Sequence, residues 1–335
     1  MGDTPATSGL AAALLGPEGY PHTASDIEVI ETHISWVYLA GAYAYKVKKP
    51  VNLGFVDFST LEARCYYCEE ELRLNRRFAP DLYLDVVEIR GSAQSPRIAG
   101  SGPLLDYAVR MQRFPQEALA KQLLARGELT PQLIVDFAGY LAQFHRDLPP
   151  LHREAPYGTP EVVLHNAIQN FEQIAPMLTD AGDRQALEVL RSWTEREFIA
   201  QRSAIQERHA SGIIRECHGD LHLGNIVLLN GKLVPFDCIE FSPELRWNDV
   251  MSEVAFLMMD LIDRGAPRLA WLALSTYLEV TGDYGSLSVL PFYLVYRALV
   301  RAKVHLIRAR QSGSAAETSR LVRIFHDYVA LAERC

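Results

Sequence analysis

A short β-hairpin is predicted inside an otherwise helical part of the chain, and it constrains the fold more than any other feature. Two apolar runs, 226–229 and 233–236, are separated by Asn230-Gly231-Lys232. Asn-Gly between such runs favours a tight turn that joins two antiparallel strands. The segments on both sides repeat apolar residues at helical spacing instead. The sequence therefore predicts a small β-ribbon within a helical domain.

The first third of the chain has the opposite character. Residues 26–51 alternate polar and apolar positions or carry β-branched and aromatic side chains, so a three-stranded meander is predicted there. Two more strands are predicted over 82–89 and 104–111, with a Gly/Ser/Pro loop at 91–103 between them. These five strands are expected to form one antiparallel sheet.

One main helix, over about 60–78, is predicted between the third and fourth strands. Ser59 and Glu62 have the spacing of a capping box, in which the Ser59 hydroxyl accepts a hydrogen bond from the amide of Glu62 and the Glu62 carboxylate reaches back. From residue 116 onward the pattern is mainly helical. The sequence thus predicts the α+β class, with a five-stranded sheet and one helix followed by a mainly helical part.

Length and charge limit the organisation and the partners. At 335 residues the chain exceeds the usual size of one core, so two lobes are predicted, 1–113 and 114–335, with a linker at 112–115. The net charge of −8 argues against a general nucleic-acid binder and favours a small-molecule partner. No apolar stretch reaches the roughly 20 residues that span a bilayer, and no secretory signal is evident, so a cytoplasmic location is expected. The sequence leaves the oligomeric state open.

Polar residues flank the predicted hairpin on both sides. The segment H-G-D-L-H-L-G-N, with His218, Asp220, His222 and Asn225, precedes it, and Asp237 follows its second strand. Short loops around one hairpin can bring Asp220, Asn225 and Asp237 to a single point. Carboxylate and amide oxygens suit a hard cation, so two of these side chains are candidates for a metal. The third is free to face a substrate hydroxyl.

The motif H-G-D-L-H-x-G-N, followed about a dozen residues later by a strand-borne Asp, resembles the catalytic loop and metal-binding Asp of protein-kinase-like enzymes. It is similar in particular to that of the aminoglycoside phosphotransferase-like small-molecule kinases, including a bacterial group of them, and the predicted elements follow the order of that family. The resemblance implies a two-lobe kinase-like fold and transfer of the γ-phosphoryl group of ATP to a small-molecule hydroxyl, with Mg²⁺. Asp220 would orient the hydroxyl and take its proton, while Asn225 and Asp237 would bind Mg²⁺.

The same resemblance assigns residues to the nucleotide phosphates. Lys46, on the third strand, would contact the α- and β-phosphates, and Lys48, on the same face of that strand, is the alternative. The helix partner of the lysine would be Glu70 or Glu71. Glu70 matches the family's spacing to Leu74, whereas Glu71 lies nearer the apolar face of the helix. The sequence does not separate these alternatives.

Two further contacts with the nucleotide are implied by the resemblance. No G-x-G-x-x-G lies between the first two strands, so backbone amides and the Ser35 hydroxyl would cover the phosphates. Adenine would bond to the backbone at 112–114, past Met111 and including Arg113. A related bacterial group carries a P-loop domain after its kinase domain; this chain holds no such motif, so a single-domain version is expected.

Two other functions are compatible with parts of the sequence. His218, Asp220 and His222 have the i, i+2, i+4 spacing of a metal cluster, as in a metal-dependent hydrolase. That function leaves Asn225, Asp237 and the lysine strand unexplained. A non-catalytic nucleotide-binding protein with the kinase fold is the other alternative.

The acceptor is the least constrained part of the hypothesis. The negative net charge, with Glu240 and Glu244 near the motif, is consistent with a cationic acceptor such as an amino sugar, although choline, a sugar or a protein side chain is equally compatible. One late helix carries a basic run that is expected to be a solvated or subunit-contacting face. That run consists of Arg297, Arg301, Lys303, Arg308 and Arg310.

Overall fold

The computed structural model describes residues 5–54, 56–152 and 154–334. They form two compact units, one of residues up to Leu119 together with Val234–Ser242, and one of Ala120–Leu233 together with Pro243 and the residues after it. The predicted lobes assigned Val234–Ser242 to the second part of the chain. The segment groups with the first unit because ion pairs from two lysines of its sheet hold it there.

The first unit is built on a six-stranded antiparallel sheet. In chain order the strands are β1 (Glu28–Glu31), β2 (Ser35–Ala40), β3 (Tyr43–Lys48), β4 (Tyr83–Ser92), β5 (Ser95–Ile98) and β6 (Leu104–Gln112). Their spatial order is β1-β2-β3-β6-β4-β5. The predicted count of five was one too low, since β5 forms within the segment predicted to be a loop. It is an edge strand paired with β4, a position that tolerates Pro96 because one side of an edge strand makes no ladder hydrogen bonds.

Two helices accompany this sheet, α1 (Pro5–Ala13) and α2 (Leu61–Asn75). The predicted capping box was misplaced by one residue. Thr60 is the N-cap of α2, and its hydroxyl accepts from the amide of Ala63 at 3.1 Å. The Ser59 hydroxyl donates instead to the carboxylate of Asp57 at 2.6 Å, because that carboxylate offers it a closer acceptor. The predicted α+β class is otherwise confirmed.

The second unit is mainly helical, as predicted. Its helices are α3 (Ala120–Ala125), α4 (Pro131–Asp147), α5 (Pro160–Ile174), α6 (Ala181–Ala210), α7 (Pro243–Arg246), α8 (Val250–Asp263), α9 (Pro267–Thr281), α10 (Leu290–Gln311) and α11 (Ala315–Arg334). All residues from Val250 to Leu261 are buried, so α8 lies at the centre of this unit's core. A helix that is apolar over most of its surface is expected in such a position. Within the described residues, no helix is both long and apolar enough to cross a membrane.

Four further short strands lie within the described residues. They are β7 (Ile214–Glu216), β8 (Ile226–Leu229), β9 (Lys232–Pro235) and β10 (Trp247–Asp249). β7 pairs with β10, and β8 pairs with β9 as the predicted hairpin. Asn230 and Gly231 both have positive φ, at 49° and 77°, which is the backbone that a tight turn between twisted strands requires. The loop that precedes β8 carries the H-G-D-L-H-L-G-N motif.

Candidate active site

Two lysines of β3 share one glutamate of α2. Lys46 and Lys48 lie on the same face of the strand because side chains alternate along it. The Nζ of Lys46 is 2.8 Å from Oε1 of Glu71, and the Nζ of Lys48 is 2.8 Å from Oε2 of the same residue. Glu70 pairs with Arg73 on its own helix at 2.7 Å. Of the two glutamates that the sequence left open, the structure thus places Glu71, and not Glu70, at the lysines.

Lys46 also pairs with Asp237, whose Oδ1 lies 2.5 Å from the ammonium nitrogen. The carboxylate of Asp237 is 44% exposed, so its second oxygen is accessible beside the ion pair. Its backbone has a φ of 66°, an unfavourable value for a residue with a side chain, and such values persist where neighbours hold them. Here the amide of Asp237 donates to the Tyr83 hydroxyl, and the next amide, of Cys238, donates to Asn75. The Asp237 carboxylate is therefore held in a fixed position.

The electrostatics of this cluster keep Lys46 and Glu71 charged. Burial alone would lower the pKa of Lys46, but the carboxylates of Asp237 and Glu71 raise that pKa well above its ordinary value. Burial would raise the pKa of Glu71, yet the two lysines lower it. Glu240 pairs with Lys48 in the interior, so three carboxylates face two ammonium groups. Carboxylates outnumber ammonium groups in this cluster, and one of the carboxylates is exposed. Such an arrangement fits the coordination of a hard divalent cation.

Ser35 lies at the start of β2, where the turn from β1 ends. It is buried, and its hydroxyl lies 2.8 Å from that of Thr32. The Thr32 hydroxyl in turn accepts from the amides of Ile34 and Ser35. In this structure the Ser35 hydroxyl is part of the turn's own hydrogen bonding, so its predicted contact with phosphate stays a prediction.

Met111 and Arg113 lie at the end of β6, next to β3. Met111 is buried opposite Ala44. The amide of Arg113 donates to the carbonyl of Ala42 at 2.8 Å, and its guanidinium pairs with Glu28. The amide of Arg113 therefore supports the strand pairing, and the predicted adenine contact at 112–114 stays a prediction.

In the second unit, the motif before β8 brings Asp220 and Asn225 into direct contact. The Nδ2 of Asn225 donates to both the carbonyl oxygen and Oδ2 of Asp220, each at 3.0 Å. Since the amide nitrogen makes these contacts, the Asn225 side-chain oxygen is directed elsewhere and can serve as a metal ligand. The Asp220 carboxylate, 32% exposed, also lies 3.4 Å from Nε2 of His222.

The charge of Asp220 is stabilised by its neighbours. Burial would raise the pKa of this carboxyl, but His222, Arg301 and His218 outweigh burial and hold the pKa below its ordinary value. Asp220 is therefore ionised at neutral pH. An ionised, partly exposed carboxylate can accept a hydrogen bond from a hydroxyl group.

Two acidic residues of α8 hold the backbone of the motif, and sequence reasoning missed both. Glu253 accepts from the amide of Gly219 at 2.8 Å, and Asp260 accepts from the amide of Leu223 at 2.9 Å. Both lie in a run of otherwise apolar residues, seven positions apart and hence on one face of the helix. A carboxylate in such a run is costly to bury without donors, and this was the signal that could have revealed them.

Arg297 corrects the expectation for the basic run of α10. It is 3% exposed, and its guanidinium donates to the carbonyl of Gly219 at 3.0 Å and to Ser252. The motif's first glycine is thus held by Glu253 through its amide and by Arg297 through its carbonyl. Arg297 supports the loop and is not a solvated residue.

Each histidine of the motif accepts a hydrogen bond from a backbone amide of the motif. Nδ1 of His218 accepts from the amide of Asp220, and Nδ1 of His222 accepts from the amide of Gly224. Among the described residues, the only cluster of three His, Cys, Asp or Glu side chains with ligand atoms within 4.8 Å of one another is His145, Cys217 and Glu253. The geometry therefore gives no support to a hydrolase metal site at His218, Asp220 and His222.

Comparison with known proteins identifies the family. The model of the phosphotransferase enzyme family, APH, matches residues 67–287. An uncharacterised protein of Mycobacterium tuberculosis strain H37Rv is 32% identical over 293 residues, which cover 87% of this chain and 57% of that protein. An uncharacterised protein of Mycobacterium bovis matches to the same extent. The chain belongs to the phosphotransferase enzyme family, and the predicted family is confirmed. It spans 57% of the length of these relatives.

Solved structures show the same fold at low sequence identity. The GDP and kanamycin complex of APH(2")-IIia has a TM-score of 0.55 and 13% identity, covering 96% of this chain and 98% of that one. Choline kinase from Cryptosporidium parvum has a TM-score of 0.53 and 11% identity, covering 92% and 89%. Plasmodium vivax ethanolamine kinase has a TM-score of 0.52 and 10% identity, covering 92% and 81%. The predicted kinase-like fold is confirmed.

Proposed function

We propose that this protein transfers the γ-phosphoryl group of ATP, bound with Mg²⁺, to a hydroxyl group of a small molecule. The observation that carries the proposal is the ion cluster of the first unit. Lys46 is fixed between a buried carboxylate, Glu71, and an exposed one, Asp237. A fixed ammonium group beside an exposed carboxylate is the pairing needed to bind phosphate and its metal together.

The residues of the first unit would bind the nucleotide. Lys46 would contact the α- and β-phosphates, and Glu71 would act as a positioning residue that keeps the ammonium group in place. Asp237 would supply an oxygen ligand to Mg²⁺, and the family resemblance gives Asn225, in the motif before β8, a metal-binding role as well. The metal, when bound, neutralises negative charge that develops on the phosphate oxygens.

Asp220 would act on the acceptor. Its lowered pKa makes it a weak base, so its main contribution would be to accept a hydrogen bond from the attacking hydroxyl and hold it in line. The proton would pass to the carboxylate as the hydroxyl oxygen bonds to the γ-phosphorus and the bond from that phosphorus to the bridging oxygen of ADP breaks, so that ADP leaves. Phosphoryl transfer depends mostly on such positioning and on charge neutralisation, which suits a carboxylate that stays ionised.

The identity of the nucleotide is part of the proposal, because a solved structure of this fold contains GDP. Titration calorimetry of the protein with ATP and with GTP, each with and without Mg²⁺, separates the two donors. We expect ATP to bind more tightly than GTP and to require Mg²⁺ for full affinity.

The role of Asp237 is tested by the isosteric variant Asp237→Asn. Loss of one anionic metal ligand is expected to weaken Mg²⁺-dependent ATP binding at least about tenfold, with little effect on metal-free binding. Asp81→Asn, an exposed position in the same unit, is the matched control. An Asp237→Asn protein that binds ATP and Mg²⁺ as the wild type does would refute the metal role.

A further inference from the structure

A large cavity in the second unit lies beside the motif that carries Asp220. Its volume is about 810 Å³, and residues of α3, α8, α10 and α11 line it. The lining includes only two carboxylates, those of Asp263 and Asp327. It includes six basic side chains, which are Lys121, Arg264, Arg301, Arg308, Arg320 and Arg334. We call this cavity the basic pocket.

The basic pocket adjoins the residues proposed to act on the acceptor. Nη1 of Arg301 lies 3.1 Å from Nε2 of His222, and the same nitrogen of His222 lies 3.4 Å from the Asp220 carboxylate. The aliphatic part of Lys121 also lies near Gly224 of the motif. One side chain, His222, thus separates Asp220 from the pocket lining.

Positive charge in the basic pocket exceeds what its surroundings neutralise. Arg264 pairs with Asp260, and Arg320 pairs with Glu317. Together with Asp263 and Asp327 of the lining, these make four carboxylates against six basic side chains. Two buried nitrogens, Nε of Arg301 and Nδ1 of His305, have no hydrogen-bond partner among the described residues.

Two titrating groups of the pocket have lowered pKa values, with burial as the largest cause and neighbouring cations as the next. Burial and the neighbouring Arg301 and Arg308 lower the pKa of His305 to about 3. Burial, with Arg264 and Arg301 next, also lowers the pKa of Lys121. Both groups resist a further positive charge, as expected in a pocket that lacks its counter-ion.

We propose that the basic pocket binds an anionic group of the acceptor, a phosphate or a carboxylate, so that the substrate is an acidic hydroxyl compound. This inference rests on the proposed phosphotransferase function and narrows its substrate class. Arginine guanidinium groups bind such oxyanions through paired hydrogen bonds. A polycationic acceptor such as an aminoglycoside would be repelled. The overall charge of −8 suggested a cationic acceptor, but recognition depends on the local field of the pocket.

Direct anion binding tests the pocket without any assumption about turnover. Calorimetry with inorganic phosphate and with citrate compares the wild type with the double variant Arg301→Gln/Arg308→Gln. We expect the variant to bind both anions about tenfold to a hundredfold more weakly. The matched control is Arg310→Gln/Arg323→Gln, which removes two exposed arginines of α10 and α11 that do not line the pocket.

Two further variants make this experiment decisive. Arg308→Gln alone, at an exposed position, replaces the double variant if the latter does not fold, with at least about a threefold weakening expected. Lys46→Met tests whether the anions bind instead at the lysine cluster of the first unit. Equal anion affinity in the wild type and the pocket variants, or a loss confined to Lys46→Met, would overturn the inference.

Turnover then separates the substrate class from the function itself. ATP consumption is measured with glucose, gluconate, glucose 6-phosphate and kanamycin as acceptors. We expect a higher kcat/KM for the two acidic compounds than for glucose, no turnover of kanamycin, and loss of this preference in Arg308→Gln. Preferred turnover of kanamycin would contradict the acidic acceptor while supporting the phosphotransferase. A wild type that binds phosphate in the pocket but does not bind ATP would instead contradict the proposed function.

Discussion

The two units hold their candidate carboxylates in opposite ways. In the first unit, Glu71 is fully buried and both of its oxygens accept from ammonium groups. In the second unit, Asp220 is partly exposed, and its close contacts are the amide of Asn225 and the imidazole of His222. The first arrangement fixes cations in place, which suits binding. The second leaves an ionised carboxylate accessible, which suits a group that meets a substrate hydroxyl.

Neutralising Asp220 gives the largest effect that this comparison predicts. Asp220→Asn keeps the shape of the side chain but removes the charge, so kcat for phosphoryl transfer should fall about 10²- to 10⁴-fold. The affinity for ATP should stay within about twofold, because the proposed phosphate ligand Lys46 lies in the other unit. Steady-state ATP consumption and calorimetry measure the two quantities. A variant that retains wild-type kcat would remove Asp220 from the mechanism.

The two lysines of β3 are expected to contribute differently to the stability of the first unit. Lys48→Met should lower the free energy of unfolding by about 3–5 kcal/mol, because it leaves Glu240 buried without its cationic partner. Lys46→Met should lower the free energy of unfolding by less, because Asp237 is exposed to water and Glu71 keeps its ion pair with Lys48. Urea denaturation measures both values. The double variant Lys48→Met/Glu240→Met should recover part of the loss, and equal losses for the two single variants would contradict the distinction.

Low pH should remove the stability that the ionised carboxylate of Glu71 gives to the ion cluster of the first unit. The pKa of this carboxyl is lowered in the folded protein, from 4.5 to about 2, by the two lysines. A lowered folded-state pKa stabilises the fold above the unfolded value, and that contribution is lost as the pH falls from 4.5 towards 2. The difference in unfolding free energy between the wild type and Glu71→Gln should therefore shrink by up to about 3 kcal/mol over this range. Denaturant titrations measure this difference in unfolding free energy at each pH. A difference that does not change with pH would contradict the stabilising role of the Glu71 carboxylate.

Local signals in the sequence predicted the parts of both units that depend on short segments. Asn230-Gly231 predicted the hairpin, and the alternation of β3 placed Lys46 and Lys48 on one face. Both features depend only on turn chemistry and on the period of a strand. The family resemblance supplied the pairing of a lysine with a helix glutamate. Adjacent glutamates could not be separated, because a small rotation of α2 decides which one faces the sheet.

Other parts depend on contacts that no short segment contains. Glu253 and Asp260 act on the motif from a helix that follows it by about 30 residues, and Arg297 reaches it from a later helix still. Periodicity predicts that such residues are buried, but it does not predict which backbone groups they contact. The edge strand β5 was missed because its proline and turn residues favour a loop, and only pairing with β4 makes it a strand.

We propose that this chain moves a phosphoryl group from ATP to an alcohol. Phosphorus NMR of a reaction with ATP, Mg²⁺ and a mixture of hydroxyl compounds, acidic ones included, tests it most directly. With the wild type we expect a new phosphate monoester signal that grows in step with ADP. With Asp220→Asn we expect that signal to be missing. ATP that stays intact with every compound, or is converted only to ADP and inorganic phosphate, would contradict it.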